Sequence, residues 1–186
     1  MTELPDLPAP GGRLDAEIEF QPVRIALLTV SDTRTAADDT SGNLLAARIE
    51  AAGHDLADRA LVRDDVAAVQ ACLKGWIDNP EIDAVISTGG NGLTGRDITP
   101  EAAMPLVEKR IDGFETVWHM VSYQSVGLSK LQSRACAGLA NGTFIFCLPG
   151  SNGACKDGWD KIIRWQLDVR HRPCNLVEIM PRLMET

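Results

Sequence analysis

Fourteen consecutive residues, Thr88-Gly89-Gly90-Asn91-Gly92-Leu93-Thr94-Gly95-Arg96-Asp97-Ile98-Thr99-Pro100-Glu101, constrain the fold of this chain more than any other stretch. They follow an apolar run of β type, Ile82-Asp83-Ala84-Val85-Ile86-Ser87, and lead into a helical pattern. Closely spaced glycines let a backbone approach a ligand where a Cβ would collide, and they tolerate positive φ. Thr99 fits an N-cap, with Pro100 at the first helical position and Glu101 in the acid-favouring first turn. A strand, a glycine loop and a helix start, in that order, describe a site that handles phosphate.

Two better-known glycine motifs fit less well. Gly90-Asn91-Gly92-Leu93-Thr94-Gly95 satisfies the spacing G-x-G-x-x-G of dinucleotide binding, and Glu115 lies about 20 residues on. In that motif the helix begins within the glycines, whereas Arg96-Asp97 and Thr99-Pro100 postpone it here, and the stretch follows the third predicted strand instead of the first. The phosphate-loop pattern fails at Arg96-Asp97, where Lys and Ser or Thr are required.

The rest of the chain alternates strand and helix. Residues 1–22 are rich in proline, acidic and small residues and are expected to form a flexible or draped arm before a single domain over 23–186. Val23 to Val30 is almost continuously apolar, as a strand buried on both faces must be. Ser41 is the expected N-cap of a first helix whose Leu45, Ile49 and Ala52 share a face and which Gly53 closes. Asp55 to Val62 is a weaker strand. Asp64 or Asp65 caps a second helix carrying Val66, Val69, Leu73, Trp76 and Ile77, and Asn79-Pro80 stops it.

After the glycine loop a helix using Met104, Val107 and Ile111 is expected, then a mostly helical stretch over 113–134. A short strand and turn follow over 137–143, with Asn141-Gly142 at the turn, and then a buried strand, Phe144 to Leu148. That strand runs into Pro149-Gly150-Ser151-Asn152-Gly153 and a helix carrying Trp159, Ile162, Ile163 and Leu167. The alternation predicts an α/β fold: three layers, with a mostly parallel twisted sheet between helices.

A net charge of −8 argues against nonspecific nucleic-acid binding, and no apolar run approaches the roughly 20 residues of a membrane span. The start, Met1-Thr2-Glu3-Leu4-Pro5-Asp6, lacks the basic and apolar regions of a secretion signal, so the expected location is cytoplasmic. The five cysteines include no C-x-x-C pair, and the three histidines form no ligand pattern, so buried thiols are expected in place of a zinc site. The tryptophans are expected to pack in the core.

In open α/β sheets ligands bind beyond the carboxyl ends of the strands. Ser31-Asp32, Asp64-Asp65, Thr88 to Asp97 and Pro149 to Asn152 each follow a predicted strand, so a parallel sheet would bring all four to one rim. Two glycine-rich loops with aspartates and hydroxyls suit a phosphate ester together with Mg²⁺, which favours one or two carboxylates plus substrate and water oxygens. Asp32 fits a turn-stabilising role as well, and Asp64 a helix cap. Ser151 fits an N-cap, which is compatible with phosphate binding at the same helix start.

Together with T-V-S-D-T-R before it and L-P-G-S-N-G-A-C after it, the T-G-G-N-G-L-T-G-R-D-I-T-P-E-A segment resembles the MoaB/MogA family of molybdenum cofactor biosynthesis. The order and spacing agree over about Val23 to Asn175, and L-Q-S-R-A and D-V-R-H-R-P-C-N look closer to the MoaB branch. The resemblance implies a molybdopterin-binding fold and transfer of an adenylyl group from Mg-ATP to the terminal phosphate of molybdopterin, releasing pyrophosphate. A non-catalytic molybdopterin-binding or scaffold role is the alternative.

By motif, Asp64 and Asp97 would be catalytic carboxylates associated with Mg²⁺. Thr88, Gly89, Gly90, Gly92 and Ser151, with Pro149 and Gly150 beside it, would lie along the pterin phosphate or the nucleotide. Ser31, Asp32 and the 39–42 stretch ending at Gly42 would belong to the same mouth. Asn91 stands where the family usually has Thr and keeps a hydrogen-bonding side chain; Arg63 stands where Pro is frequent. The resemblance also implies a homo-oligomer, a trimer or hexamer, to which apolar residues over 114–131 could contribute, and other cofactor-biosynthesis proteins as partners.

Overall fold

The computed structural model describes residues 11–185. In chain order its elements are β1 (Arg13–Leu14), β2 (Arg24–Val30), α1 (Thr40–Ala51), β3 (Asp55–Val62), α2 (Val66–Ile77), β4 (Ala84–Thr88), α3 (Thr99–Ala103), β5 (Lys109–Arg110) and α4 (Asp112–Val126). β6 (Cys136–Ala140), β7 (Thr143–Leu148), α5 (Asn152–Gly158), α6 (Arg164–Gln166) and β8 (His171–Arg172) complete the set. A π-helical turn, Trp159–Ile163, joins α5 to α6.

The main sheet has six strands in the order β3-β2-β4-β7-β6-β5. β3, β2, β4 and β7 run parallel, and β6 and β5 are antiparallel additions at one edge. Alternate residues of β2 feed two cores. Ile25 and Leu27 join Leu45, Ile49, Phe146 and Trp159 on the face covered by α1, α4 and α5. Ala26, Leu28 and Val30 join Val69, Leu73 and Trp76 on the face covered by α2 and α3. Both faces being dry, the strand needs an unbroken apolar run, and each buried Leu or Ile contributes roughly 1.5–3 kcal/mol. β3 lies at the sheet edge and is the polar, half-exposed strand.

The β6–β7 hairpin closes on Asn141-Gly142, both with positive φ (46° and 78°), as the twist of a two-residue hairpin requires. All four tryptophans are buried in the two cores or beside them. Of the expected arm, residues 1–10 lie outside the described residues. Residues 11–22 run along the domain, where β1 pairs antiparallel with β8 and the Phe20 ring meets His54 and the Arg170 guanidinium.

Three local expectations are corrected. Asp39, not Ser41, caps α1: its buried carboxylate accepts from the Gly42 N–H at 2.9 Å. Ile98 is the cap position of α3, and Thr99 sits inside the helix with its hydroxyl donating to the Gly89 carbonyl at 2.7 Å. The helix expected to continue through Met104, Val107 and Ile111 ends at Ala103. A 3-10 turn (Met104–Leu106) follows, and then β5, because Lys109 and Arg110 find a strand partner in Leu139 and Gly138. Sheet pairing outweighs a weak helical pattern broken by Pro105.

Candidate functional site

Strand order places the site. The chain leaves β2 for β3 on one side of it and returns to β4 on the other, so the loops after β2 and β4 part and open a crevice at their carboxyl ends. A cavity of about 540 Å³ occupies that crevice, a usual size for a small-molecule site. Its wall draws on the loops after β2, β3, β4 and β7, which the parallel strands deliver to one rim. Gly89 floors it against the end of β2, with φ at +101°. Gly150 packs on Gly89, a Cβ on Gly150 falling 3.1 Å from the Gly89 Cα.

Three aspartates meet at the mouth in different states. Asp32 accepts the Asp64 N–H at 3.3 Å and the Arg96 Nε at 2.8 Å, tying three loops together. The hydrogen bond from the Arg96 guanidinium chiefly holds the Asp32 carboxyl below the usual range. Asp97 turns back on its own loop and accepts from the Thr94 N–H (2.9 Å) and hydroxyl (2.6 Å). Partial burial works to raise its carboxyl, but the bonds from Thr94 and the Gly92 N–H outweigh burial and hold it low. Asp64 is the exception. Burial, then the charge of Asp32, push its carboxyl up, and Arg96 does not offset them.

Behind the mouth the Arg34 guanidinium spans two loops, reaching the Ser41 hydroxyl, the Asp39 carboxylate at 3.4 Å and the Gly150 carbonyl at 3.0 Å. Asp39 is fully buried. Its burial is outweighed by hydrogen bonds from Thr29, the Gly42 N–H and Arg59, so its carboxyl stays below the usual range. Ser151 caps α5 by accepting the Ala154 N–H at 3.1 Å.

Ser31, Asp64, Gly89, Gly90, Asn91, Gly92, Asp97, Pro149, Gly150 and Ser151 all line this one cavity. Asp32 stands beside it as a strut between loops. Gly42 lies beneath, where a Cβ would overlap the Asp39 carboxylate and come within 2.6 Å of the Thr29 hydroxyl. Thr88 is fully buried under the floor, its hydroxyl donating to the Pro149 carbonyl at 3.2 Å and touching the Cys155 sulfur. That sulfur is fully buried and packs there. The Ser31 hydroxyl accepts from Thr33 and Arg34 N–H groups of its own turn.

Sequence reasoning missed one wall. Ser129, Gln132 and Ser133, from the 3-10 turns after α4, close the cavity opposite the glycine loop, and Arg34 adds a cation. Their spacing of i, i+3, i+4 was a visible polar stripe beside the exposed Leu128 and Leu131, in a segment read as helix, as a family mark in L-Q-S-R-A and as an oligomer contact, but not as part of the site.

The sequence from 26 to 169 matches the family model described as "Probable molybdopterin binding domain". The chain belongs to this molybdopterin-binding family of MoaB and MogA proteins. Within the family it is 48% identical over 157 residues to molybdenum cofactor biosynthesis protein B of Escherichia coli K12, covering 84% of this chain and 92% of that one. A crystal structure of a molybdenum cofactor biosynthesis protein B superposes with TM-score 0.77 at 36% identity, over 79% of this chain and 92% of the other. The tungsten cofactor synthesizing protein MoaB of Pyrococcus furiosus gives 0.67 at 33% identity, over 74% and 88%. No helix among the described residues is long and apolar enough to cross a membrane.

Proposed function

We propose that this chain acts in molybdenum cofactor biosynthesis by binding molybdopterin in the crevice and adenylylating its terminal phosphate with Mg-ATP. The observation that carries the reading is the shared wall: two carboxylates in unlike states, Asp64 and Asp97, face the same cavity as two glycine-rich loops. No hydrogen bond among the described residues uses the Gly90 or Asn91 N–H, and these donors suit phosphate oxygens.

In the reaction a phosphate oxygen of molybdopterin attacks the α-phosphorus of ATP. The new O–P bond forms as the bond from that phosphorus to the bridging oxygen breaks, and pyrophosphate leaves with the electron pair. A phosphate monoester has its second pKa near 6, so the nucleophile is ionised at neutral pH and needs no base. Repulsion between anions is the remaining barrier. Loop amides, Arg34 and the start of α5 orient the two substrates and meet the charge on the transferring group.

The donor set also fits Mg²⁺, since Asp64 is an under-compensated carboxylate and Asp97 is held ionised. Asp64 and Asp97 would hold the ion, which when bound supplies charge neutralisation at the phosphates.

The test is pyrophosphate release from Mg-ATP, with and without purified molybdopterin, in wild type and Asp97→Asn. The reading expects release that needs molybdopterin and collapses in the variant. Absence of release from a protein that binds molybdopterin would select the second reading, a binding or scaffold protein. That reading draws on Asp97, whose Oδ2 is already engaged by its own loop.

A homo-oligomer belongs to the same proposal. Val117, Met120, Tyr123, Leu128 and Leu131 form an exposed apolar face on α4 and the turns after it. Such a face suits a contact between copies in a trimer or hexamer. Cytoplasmic location and contact with other cofactor-biosynthesis proteins complete the proposal.

A further inference from the structure

The L-Q-S-R-A segment supplies two cavity residues, Gln132 and Ser133, but the adjoining Arg134 side chain is not part of the wall. It works from behind. Its Nε donates to the Gly92 carbonyl at 2.7 Å and its Nη2 to the Asp97 carbonyl at 2.8 Å. Its main-chain N–H donates to the Asn91 carbonyl at 2.8 Å. The outer edge of the guanidinium forms a two-point pair with Glu101, at 3.1 Å on one side and shorter on the other.

Carbonyl and following N–H point opposite ways across a trans peptide. Holding the Asn91 carbonyl on Arg134 therefore turns the Gly92 N–H away from it, and that N–H supports the Asp97 carboxylate. Holding the Asp97 carbonyl fixes the backbone from which the same carboxylate projects. Both ends of the Gly92–Asp97 loop are thus gripped by one residue. Between these ends Leu93 is exposed and a Cβ on Gly95 would meet nothing within 4 Å, and the loop's other outside hold is the exposed Arg96–Asp32 pair.

We propose that Arg134 is the positioning residue of this site, clamping the glycine loop so that Asp97 and the loop amides are set before substrate arrives. It contacts no substrate, and Glu101 already balances its charge. The role depends on the planar fork of the guanidinium, since four acceptor oxygens from three residues lie around it and an ammonium offers one compact point. The kinetic half of this inference rests on the adenylyl-transfer reading; the structural half does not.

The experiment compares wild type, Arg134→Lys and Glu101→Gln. Hydrogen exchange over residues 89–97 is read without ligand, affinity for purified molybdopterin by fluorescence titration, and kcat and KM with Mg-ATP. Arg134→Lys is expected to speed exchange at Gly92 and Thr94 at least ~10-fold and to lower kcat ~100-fold, the scale of a misplaced catalytic group. KM for ATP should stay within about threefold, and the far-UV spectrum should be unchanged. Glu101→Gln, which leaves the guanidinium in place, should show the same pattern at smaller amplitude and serves if Arg134→Lys does not fold.

Wild-type exchange in both variants would overturn the clamp. A raised KM with unchanged kcat would overturn it too, by making Arg134 a substrate contact. If wild type releases no pyrophosphate, the adenylyl-transfer reading fails alone. Exchange and molybdopterin affinity then decide the clamp, which expects faster exchange together with binding ~10-fold weaker in Arg134→Lys.

Discussion

Replacing Gly89 and Gly75 each by alanine makes the same chemical change with opposite expected signs. Gly89 has φ +101°, and a methyl there would stand less than 3.0 Å from the Val30 carbonyl oxygen and 3.2 Å from its carbon. Both atoms are backbone of a central strand, so no side chain can swing aside. The left-handed backbone costs a Cβ-bearing residue about 1–2 kcal/mol, and the overlap adds about 1–3 kcal/mol. The total is about 2–5 kcal/mol. For a chain this long each kcal/mol lowers Tm by roughly 2–4 °C, so a fall of about 10 °C is expected.

Gly75 lies inside α2, exposed, and a Cβ there would meet nothing within 4 Å. Alanine should add about 0.5–1 kcal/mol by removing the conformational freedom of glycine from the unfolded chain. Urea unfolding of the two variants against wild type reads both numbers. Equal effects at the two positions, or a Gly89→Ala loss under about 1 kcal/mol, would refute the argument that the crevice floor requires glycine.

Three further outcomes follow from the same structure. Burial lowers His54 from 6.5 to about 4, the nearby charges of Asp168 and Asp55 not offsetting it, and its Nδ1 accepts the Val23 N–H at 3.1 Å. The unfolded chain then binds the proton first on acidification, so stability is full above about 6.5 and declines toward pH 4. The loss is up to about 3 kcal/mol, and a pH series of urea melts should show this slope vanish in His54→Leu. Asp64 carries a charge that its burial disfavours, so Asp64→Asn should raise the Tm of the ligand-free protein while cutting pyrophosphate release ~100-fold or more. Leu131→Asp, at a side chain 77% exposed, should shift the molar mass measured by light scattering toward monomer; an unchanged mass would remove this face from the oligomer contact.

Much of the fold was legible because period and punctuation are local properties. β3 runs from Asp55 to Val62 as expected, α2 ends before Asn79-Pro80, and the hairpin turns at Asn141-Gly142. The misplaced caps have a physical reason. Ser41 and Thr99 are both capable hydroxyls, but Asp39 has Thr29 and Arg59 to hold it in place, and Thr99 has the Gly89 carbonyl to bond instead. Those partners are distant in sequence, so local spacing could not weigh them.

The sequence by itself determined that apolar runs would form a sheet dry on both faces and that polar, glycine-rich segments would follow its strands. Side-chain periodicity and the conformational freedom of glycine suffice for that. Tertiary structure alone decided which of those segments meet. Strand order opened the crevice between β2 and β4, and the turns after α4 brought Ser129, Gln132 and Ser133 across to close it. The same packing left Asp64 without the guanidinium that Asp32 obtained from Arg96. Charge state depends on desolvation and on neighbours tens of residues away, and only the packed chain supplies both.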